Sequence, residues 1–320
     1  MRVAILDDIH DAYERTPGVR RLRERAEVRI FTAPFGDPLA LRGFDALVAN
    51  RERTMFTRAL FEALPDLRIL AQTGNHAYHV DLAAARERGI VVAKASGGFS
   101  SGAAELAIGL AMALMRHIPS ADAEVRAGGW PAPLGRELNG KTLGIVGLGH
   151  VGRHVARIAN AIGMRVLAWS RRLDPEAAAA AGVEARELED LLRASDVVSV
   201  HATLAPETRG LLDGHRLALM KPTAYLINTA RGPIVDEAAL IAALESGRLA
   251  GAGLDVFDRE PLPAGHPLTR LPNVVLTPHL GWPTDRKYED FADAAADVLL
   301  AHLEGRDVPR FVEPTQDGPR

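Results

Sequence analysis

An arginine, a carboxylate and a histidine end three short runs of the C-terminal half: Arg231 in Leu226-Ile-Asn-Thr-Ala-Arg231-Gly232, Glu260 in Gly253-Leu-Asp255-Val-Phe-Asp-Arg-Glu260-Pro261, and His279 in Val275-Leu-Thr-Pro-His279-Leu-Gly281. Each run opens apolar, as a buried strand does, and closes polar. A guanidinium grips a carboxylate with paired planar donors. An imidazole exchanges a proton near neutral pH, and a carboxylate beside it favours its charged form. Together these groups would seat an α-keto acid and carry a proton while a hydride moves, given a nucleotide cofactor beside them.

The run Gly144-Ile-Val-Gly147-Leu-Gly149-His150-Val151-Gly152 supplies a turn for such a cofactor. It follows an apolar stretch and opens a helical one. Gly147, Gly149 and Gly152 permit a tight turn, close approach to a pyrophosphate and close helix packing, while the amides of the helix start, at His150 and Val151, face the phosphates. The ribose is expected at the end of the next strand, at Ser170-Arg171-Arg172. An acidic residue there would bind a 2′-hydroxyl. Serine removes the repulsion against a 2′-phosphate, and arginines pair with phosphate in a fork. NADP is therefore favoured over NAD, the duller reading being that both arginines are solvent-facing loop charges.

Regular elements must position these groups. Apolar runs at 2–7, 27–32, 46–50, 67–73 and 90–95 alternate with helical stretches, the pattern of a parallel sheet wound with helices. A second series at 143–147, 165–170, 196–201, 224–228, 250–255 and 274–277 is spaced by helical segments that include 151–162, 175–181 and 236–245. The sequence predicts an α/β protein with two doubly wound parallel-sheet domains. A Rossmann nucleotide-binding domain, 101–284, is inserted in a smaller flavodoxin-like substrate domain, 1–100 and 285–320. Two helices, at 102–118 and 285–304, would cross the junction as a hinge, with the ligand in the cleft. The tail at 314–320 is expected to be mobile.

Composition narrows the function. With 320 residues, 47% apolar and 25% charged, the chain can bury two cores. A net charge of −3 with interspersed signs leaves no basic footprint for nucleic acid. The arginines from Arg20 to Arg25 read as a solvated helix face. The absence of cysteine excludes disulfide and thiolate chemistry and fits a cytoplasmic location. The first residues read as a strand, not a signal peptide. The apolar stretch 102–118 carries Glu105 and Arg116 and is short for a membrane span, so no membrane partner is expected. No metal site is indicated.

With these residues in view, the chain resembles the D-isomer-specific 2-hydroxyacid dehydrogenase family over nearly its whole length. Five motifs carry the likeness in order: Gly147–Gly152, Asp196-Val-Val-Ser-Val-His201 running on to Glu207-Thr208-Arg209-Gly210, Asn228-Thr229-Ala230-Arg231-Gly232, Asp255-Val-Phe-x-x-Glu260-Pro261, and Thr277-Pro278-His279. The resemblance implies that His279 is the acid/base, that Glu260 orients its ring, and that Arg231 binds the substrate carboxylate and polarises the carbonyl. It implies that Asp255 accepts from the nicotinamide carboxamide, with His201, Thr208, Thr229, Ala230 and Gly281 also around the cofactor. For the substrate it implies Arg51, Gly74 and Asn75, from two loops of the first domain, and Trp282 beside His279. Taken singly, His279 could be a satisfied polar group, Arg231 a cap and Glu260 a loop charge. Their shared place after strand ends argues for catalysis.

The expected reaction is reduction of a small 2-keto acid such as glyoxylate or hydroxypyruvate, in a homodimer. Phosphoglycerate oxidation is the alternative within the same chemistry, disfavoured because the chain ends soon after the 285–304 helix and so lacks an appended regulatory domain. Formate oxidation is disfavoured by a glutamate at position 260 where that branch carries glutamine. A nucleotide-sensing corepressor scaffold is the alternative of another class. Three segments depart from the commoner pattern: Gln72-Thr-Gly-Asn-His-Ala-Tyr78, Lys94-Ala-Ser-Gly-Gly, and Leu280-Gly-Trp282. These put the substrate's identity in question.

Overall fold

The structure, a computed structural model, describes residues 1–97, 101–130 and 133–311. The tail at 314–320 lies outside them. The chain divides into two units, Met1–Ser100 with Pro283–Arg320, and Ser101–Trp282.

In the first unit the strands are β1 (Arg2–Ile5), β2 (Glu27–Ile30), β3 (Ala46–Ala49), β4 (Ile69–Thr73) and β5 (Val91–Ala95), all parallel in the order β2-β1-β3-β4-β5. This is the flavodoxin-like order. β3 and β4 are buried at every position. Helices cover both faces of such a sheet, so its strands read as continuous apolar runs. Only the edge strand β2 alternates between exposed and half-buried residues. Helix Asp285–Leu303 packs on helix Pro17–Arg23 and on β4 and β5. Arg21, Arg23 and Arg25 stay at the surface in ion pairs with Asp297, Glu14 and Glu304.

The second unit has seven parallel strands: β6 (Thr142–Val146), β7 (Arg165–Trp169), β8 (Glu184–Ala185), β9 (Val197–Val200), β10 (Tyr225–Asn228), β11 (Gly251–Leu254) and β12 (Val274–Leu276). Their order, β12-β11-β10-β9-β6-β7-β8, reverses between β6 and β9. That is the Rossmann order extended by one strand. β8 was not anticipated, because its two residues pair only with Leu167 and Ala168 and leave no periodicity. The apolar stretch expected to be one helix over 102–118 is two. Helix Gly102–Met115 lays Ala107, Leu110, Ala111 and Leu114 against β10 and β11. His117 then turns left-handed at φ 55°, and helix Ile118–Arg126 buries none of its residues. Among the described residues no helix is long and apolar enough to cross a membrane.

Candidate active site

The strands of the second unit run in one direction, so the three polar runs leave the same edge of its sheet, the edge at which open α/β sheets bind ligands. After β12 the chain turns at His279 with φ 56°. A left-handed residue other than glycine costs on the order of 1 kcal/mol and persists only where its surroundings enforce it. Here Asp255 enforces it. Its fully buried carboxylate accepts from Thr277 Oγ1 (2.6 Å) and Leu280 N–H (2.6 Å) at Oδ1, and from Gly281 N–H (2.9 Å) at Oδ2. The His279 N–H donates to the Asp255 carbonyl at 3.0 Å. Burial pushes the Asp255 carboxyl above its ordinary value, against the pull of these donors.

His279 Nδ1 lies 2.7 Å from Glu260 Oε2, and Glu260 Oε1 accepts from Phe257 N–H at 3.0 Å. Burial alone would raise the Glu260 carboxyl. The hydrogen bonds from His279 and Phe257, with the charges of His279 and Arg231, outweigh it and hold this group below the usual value. Glu260 is thus an ionised acceptor that fixes the ring and leaves Nε2 as the outward nitrogen.

Arg231 follows β10 through a turn tied by Asn228. The Asn228 side chain accepts from Ala230 N–H (3.0 Å) and donates to the Arg231 carbonyl (2.9 Å). Thr229 Oγ1 reaches the Ala103 carbonyl at 3.5 Å. Next to it, Gly232 presses on the loop that bears Glu260: a Cβ there would sit 2.1 Å from the Phe257 carbonyl carbon. Absence of a side chain lets the two loops meet.

The glycine turn divides its tasks as the spacing suggests. Gly147 has φ 106°, and a Cβ there would fall 2.5 Å from Ala202 N; at Gly152 it would fall 2.2 Å from the Gly147 carbonyl oxygen; at Gly149 nothing lies within 4 Å. Gly149 N-caps helix His150–Ala161, whose first turn is His150-Val151. It borders a cavity of about 400 Å³ that Ser170, Arg171, Arg172, His201 and Thr208 also line. A helix start facing open space fits a pyrophosphate. Ser170 Oγ accepts from Leu148 N–H at 2.6 Å, so this serine also secures the turn. Thr208 Oγ1 donates to the Thr203 carbonyl (2.6 Å) and accepts from Ala205 N–H (2.8 Å), shaping the opposite wall. His201 Nε2 is 2.8 Å from Ser199 Oγ, and burial pushes its pKa down to about 4.

Comparison with known proteins agrees with this arrangement. Residues 108–281 match the model of the D-isomer specific 2-hydroxyacid dehydrogenase NAD binding domain. A glyoxylate reductase of Thermofilum pendens is 38% identical over 310 residues, covering 92% of this chain and 91% of the relative. The chain belongs to the D-isomer specific 2-hydroxyacid dehydrogenase family. A D-3-phosphoglycerate dehydrogenase of Bacillus subtilis is 40% identical over 267 residues, which span 83% of this dehydrogenase but 50% of the relative. The crystal structure of a phosphoglycerate oxidoreductase from Vibrio cholerae superposes with a TM-score of 0.84 at 33% identity, covering 95% of this chain and 99% of that one.

The first unit of the dehydrogenase holds Arg51, Gly74 and Asn75. Arg51 has φ 60° and donates its N–H to Thr73 Oγ1 at 2.9 Å. Its side chain lies across Gly74, where a Cβ would come within 3.2 Å of Nη1, and its Nε is 3.2 Å from Glu52 Oε2. His76 approaches the same Glu52 oxygen at 3.5 Å. Burial would raise Glu52, but Arg51 and His76 carry it below its usual value. Gly74 is buried and Asn75 exposed. Trp282, half-buried, ends the second unit.

Two residues given no role from the sequence shape this site. Asn228 carried a signal, being a strand-end asparagine before a tight turn. Thr277 carried none, since its partner Asp255 is 22 positions away. For Asp255 itself, three of roughly four acceptor positions are filled within the protein.

Proposed function

We propose that this hydroxyacid oxidoreductase reduces a small 2-keto acid of the glyoxylate or hydroxypyruvate kind to its D-2-hydroxy acid, with Arg231, Glu260 and His279 as catalytic residues. The 2.7 Å pair of Glu260 and His279, within electrostatic reach of Arg231, carries this reading. Arg231 binds the substrate carboxylate with two parallel donors and draws charge toward the carbonyl oxygen. His279 donates the Nε2 proton to that oxygen on reduction and accepts it on oxidation. Glu260 keeps the proton-bearing ring aligned and stabilises its cationic form. The nicotinamide cofactor, when bound, supplies or receives the hydride.

For the cofactor, the turn of Gly147, Gly149 and Gly152, with the amides of His150 and Val151, would take the pyrophosphate. Ser170, Arg171 and Arg172 would take the ribose, His201 and Thr208 the adenosine side, and Thr229, Ala230, Asp255 and Gly281 the nicotinamide side. NADP is the preferred form, supported by the missing carboxylate at position 170. The unit Met1–Ser100 with Pro283–Arg320 is the substrate domain, contributing Arg51, Gly74 and Asn75, and Trp282 adds an aromatic wall.

Several relatives of 38–43% identity are named glyoxylate reductase, which supports the small substrate. Others at 40% identity are D-3-phosphoglycerate dehydrogenases, which sustains that second reading. A homodimer is supported by exposed apolar residues in and after helix Ile118–Arg126: Ile118, Val125, Trp130 and Leu134, the last two 88% and 92% exposed. Exposed apolar side chains gather at association surfaces when they are contiguous. A cytoplasmic location accords with a chain lacking cysteine.

The test is consumption of NADPH and of NADH with glyoxylate, hydroxypyruvate, pyruvate and 3-phosphohydroxypyruvate. Turnover fastest with the first two supports the reading. Preference for the phosphorylated acid replaces it with the second, and no turnover on any 2-keto acid rejects both.

A further inference from the structure

Arg171 and Arg172 are neighbours in sequence but not equivalent in the structure. Arg171 Nη1 lies 3.1 Å from Glu207 Oε2, whereas Arg172 is exposed and has no ion-pair partner among the described residues. Arg171 leaves the end of β7, and Glu207 sits in the loop after β9. Both loops contribute to the lining of the 400 Å³ cavity, Ser170, Arg171 and Arg172 from one and Ala202, Thr203 and Thr208 from the other. The pair therefore ties together two loops that border the expected ribose site. Its side chains are 53% and 61% exposed. An ion pair so open to water adds little to folding, so what it does to a charged ligand matters more than what it does to stability.

We infer that Glu207 is a coenzyme-selectivity residue, which restrains the preference for NADPH by occupying Arg171. The inference rests on the proposed ribose site at Ser170–Arg172. A 2′-phosphate carries close to two negative charges at neutral pH and is best met by a fork of guanidinium donors. To offer that fork, Arg171 must release Glu207. The 2′-hydroxyl of NADH is uncharged and demands no such exchange. Arg172 needs no release, so it supplies the basal attraction for the phosphate, and Arg171 supplies an attraction that Glu207 holds in check.

Glu207→Gln keeps the shape of the side chain and removes its charge. Kd for NADPH and NADH, from quenching of protein fluorescence on the full chain, should show NADPH binding tightened about three- to tenfold relative to NADH, the scale of one partly exposed charge contact. In an Arg171→Ala background the same substitution should leave the NADPH/NADH ratio unchanged. Equal changes for both coenzymes, or a ratio gain that persists without Arg171, overturn the proposal. The double variant Arg171→Ala, Arg172→Ala separates this from the cofactor reading. If that variant weakens both coenzymes alike, the ribose site is wrong and the role of Glu207 falls with it. If it weakens NADPH alone while Glu207→Gln leaves the ratio unmoved, only the role of Glu207 falls.

Discussion

Both sheets present polar loops at their C-terminal edges, but the two edges are built differently. In the second unit a buried carboxylate and an asparagine, Asp255 and Asn228, spend their hydrogen bonds on backbone and on Thr277, and so fix the turns from which His279 and Arg231 project. In the first unit Arg51 also stands on a left-handed backbone, yet its guanidinium leans on its own neighbour Glu52, which His76 shares. The first design locks geometry and leaves one nitrogen of His279 to act. The second cancels charge locally. Rigid support suits proton transfer, where misplacement by 1 Å can cost about a hundredfold. A self-compensated loop suits a binding role, in which losses are smaller and fall mainly on KM.

Substitutions should reveal this contrast in steps of decreasing size. His279→Ala should lower kcat/KM by about 10³- to 10⁴-fold, toward the upper end of what a positioned acid/base contributes. Coenzyme Kd should stay within about twofold, and near-normal turnover would remove His279 from the proton path.

His201 offers a pH-dependent break. Its pKa of about 4 lies below the ordinary 6.5, so between these values the unfolded chain binds more protons than the folded one. Stability contributed by the neutral ring is present above pH 6.5 and lost as pH falls toward 4. The loss is up to about 3 kcal/mol, less where water reaches the ring. Urea melts at pH 7 and 4.5 should show a smaller acid loss for His201→Asn than for the parent chain, and identical losses would refute a half-buried imidazole held neutral.

Thr277→Val keeps the shape and deletes the hydroxyl that donates to Asp255. About a tenfold drop in kcat is expected, the scale of a lost hydrogen bond to a buried charge, with Thr277→Ser restoring most of it. If the serine variant were as slow as the valine one, the hydroxyl would not be what holds the turn. The mildest effect belongs to the other edge. Arg51→Ala should raise KM for the keto acid about fivefold with kcat nearly unchanged; a kcat loss rivalling that of Thr277→Val would erase the distinction between the edges.

The positions of the strands along the chain were legible because β3, β4, β9, β10 and β11 are buried along their whole length and are mostly apolar, with polar residues only at Gln72, Thr73, Ser199 and Asn228. β8 was not, being too short to carry a period. The left-handed break at His117 was marked only by Pro119, which fits the first turn of a new helix but not the interior of a continuing one. At the candidate site, residue types pointed to Arg231, Glu260 and His279, because their chemistry is distinctive at strand ends. The supports Asn228, Thr277 and Glu207 are ordinary polar residues. What they do is decided by partners such as Asp255 and Arg171, and these meet only once the sheet has formed.

Ser101–Trp282 is one uninterrupted length of chain, and it contains the glycine turn together with Arg231, Glu260 and His279. The stretches on either side can therefore diverge, or be exchanged by recombination at two points, without rewriting the chemistry encoded between them. Under the roles proposed above, exchanging the flanks would alter what is bound and leave the proposed reaction in place.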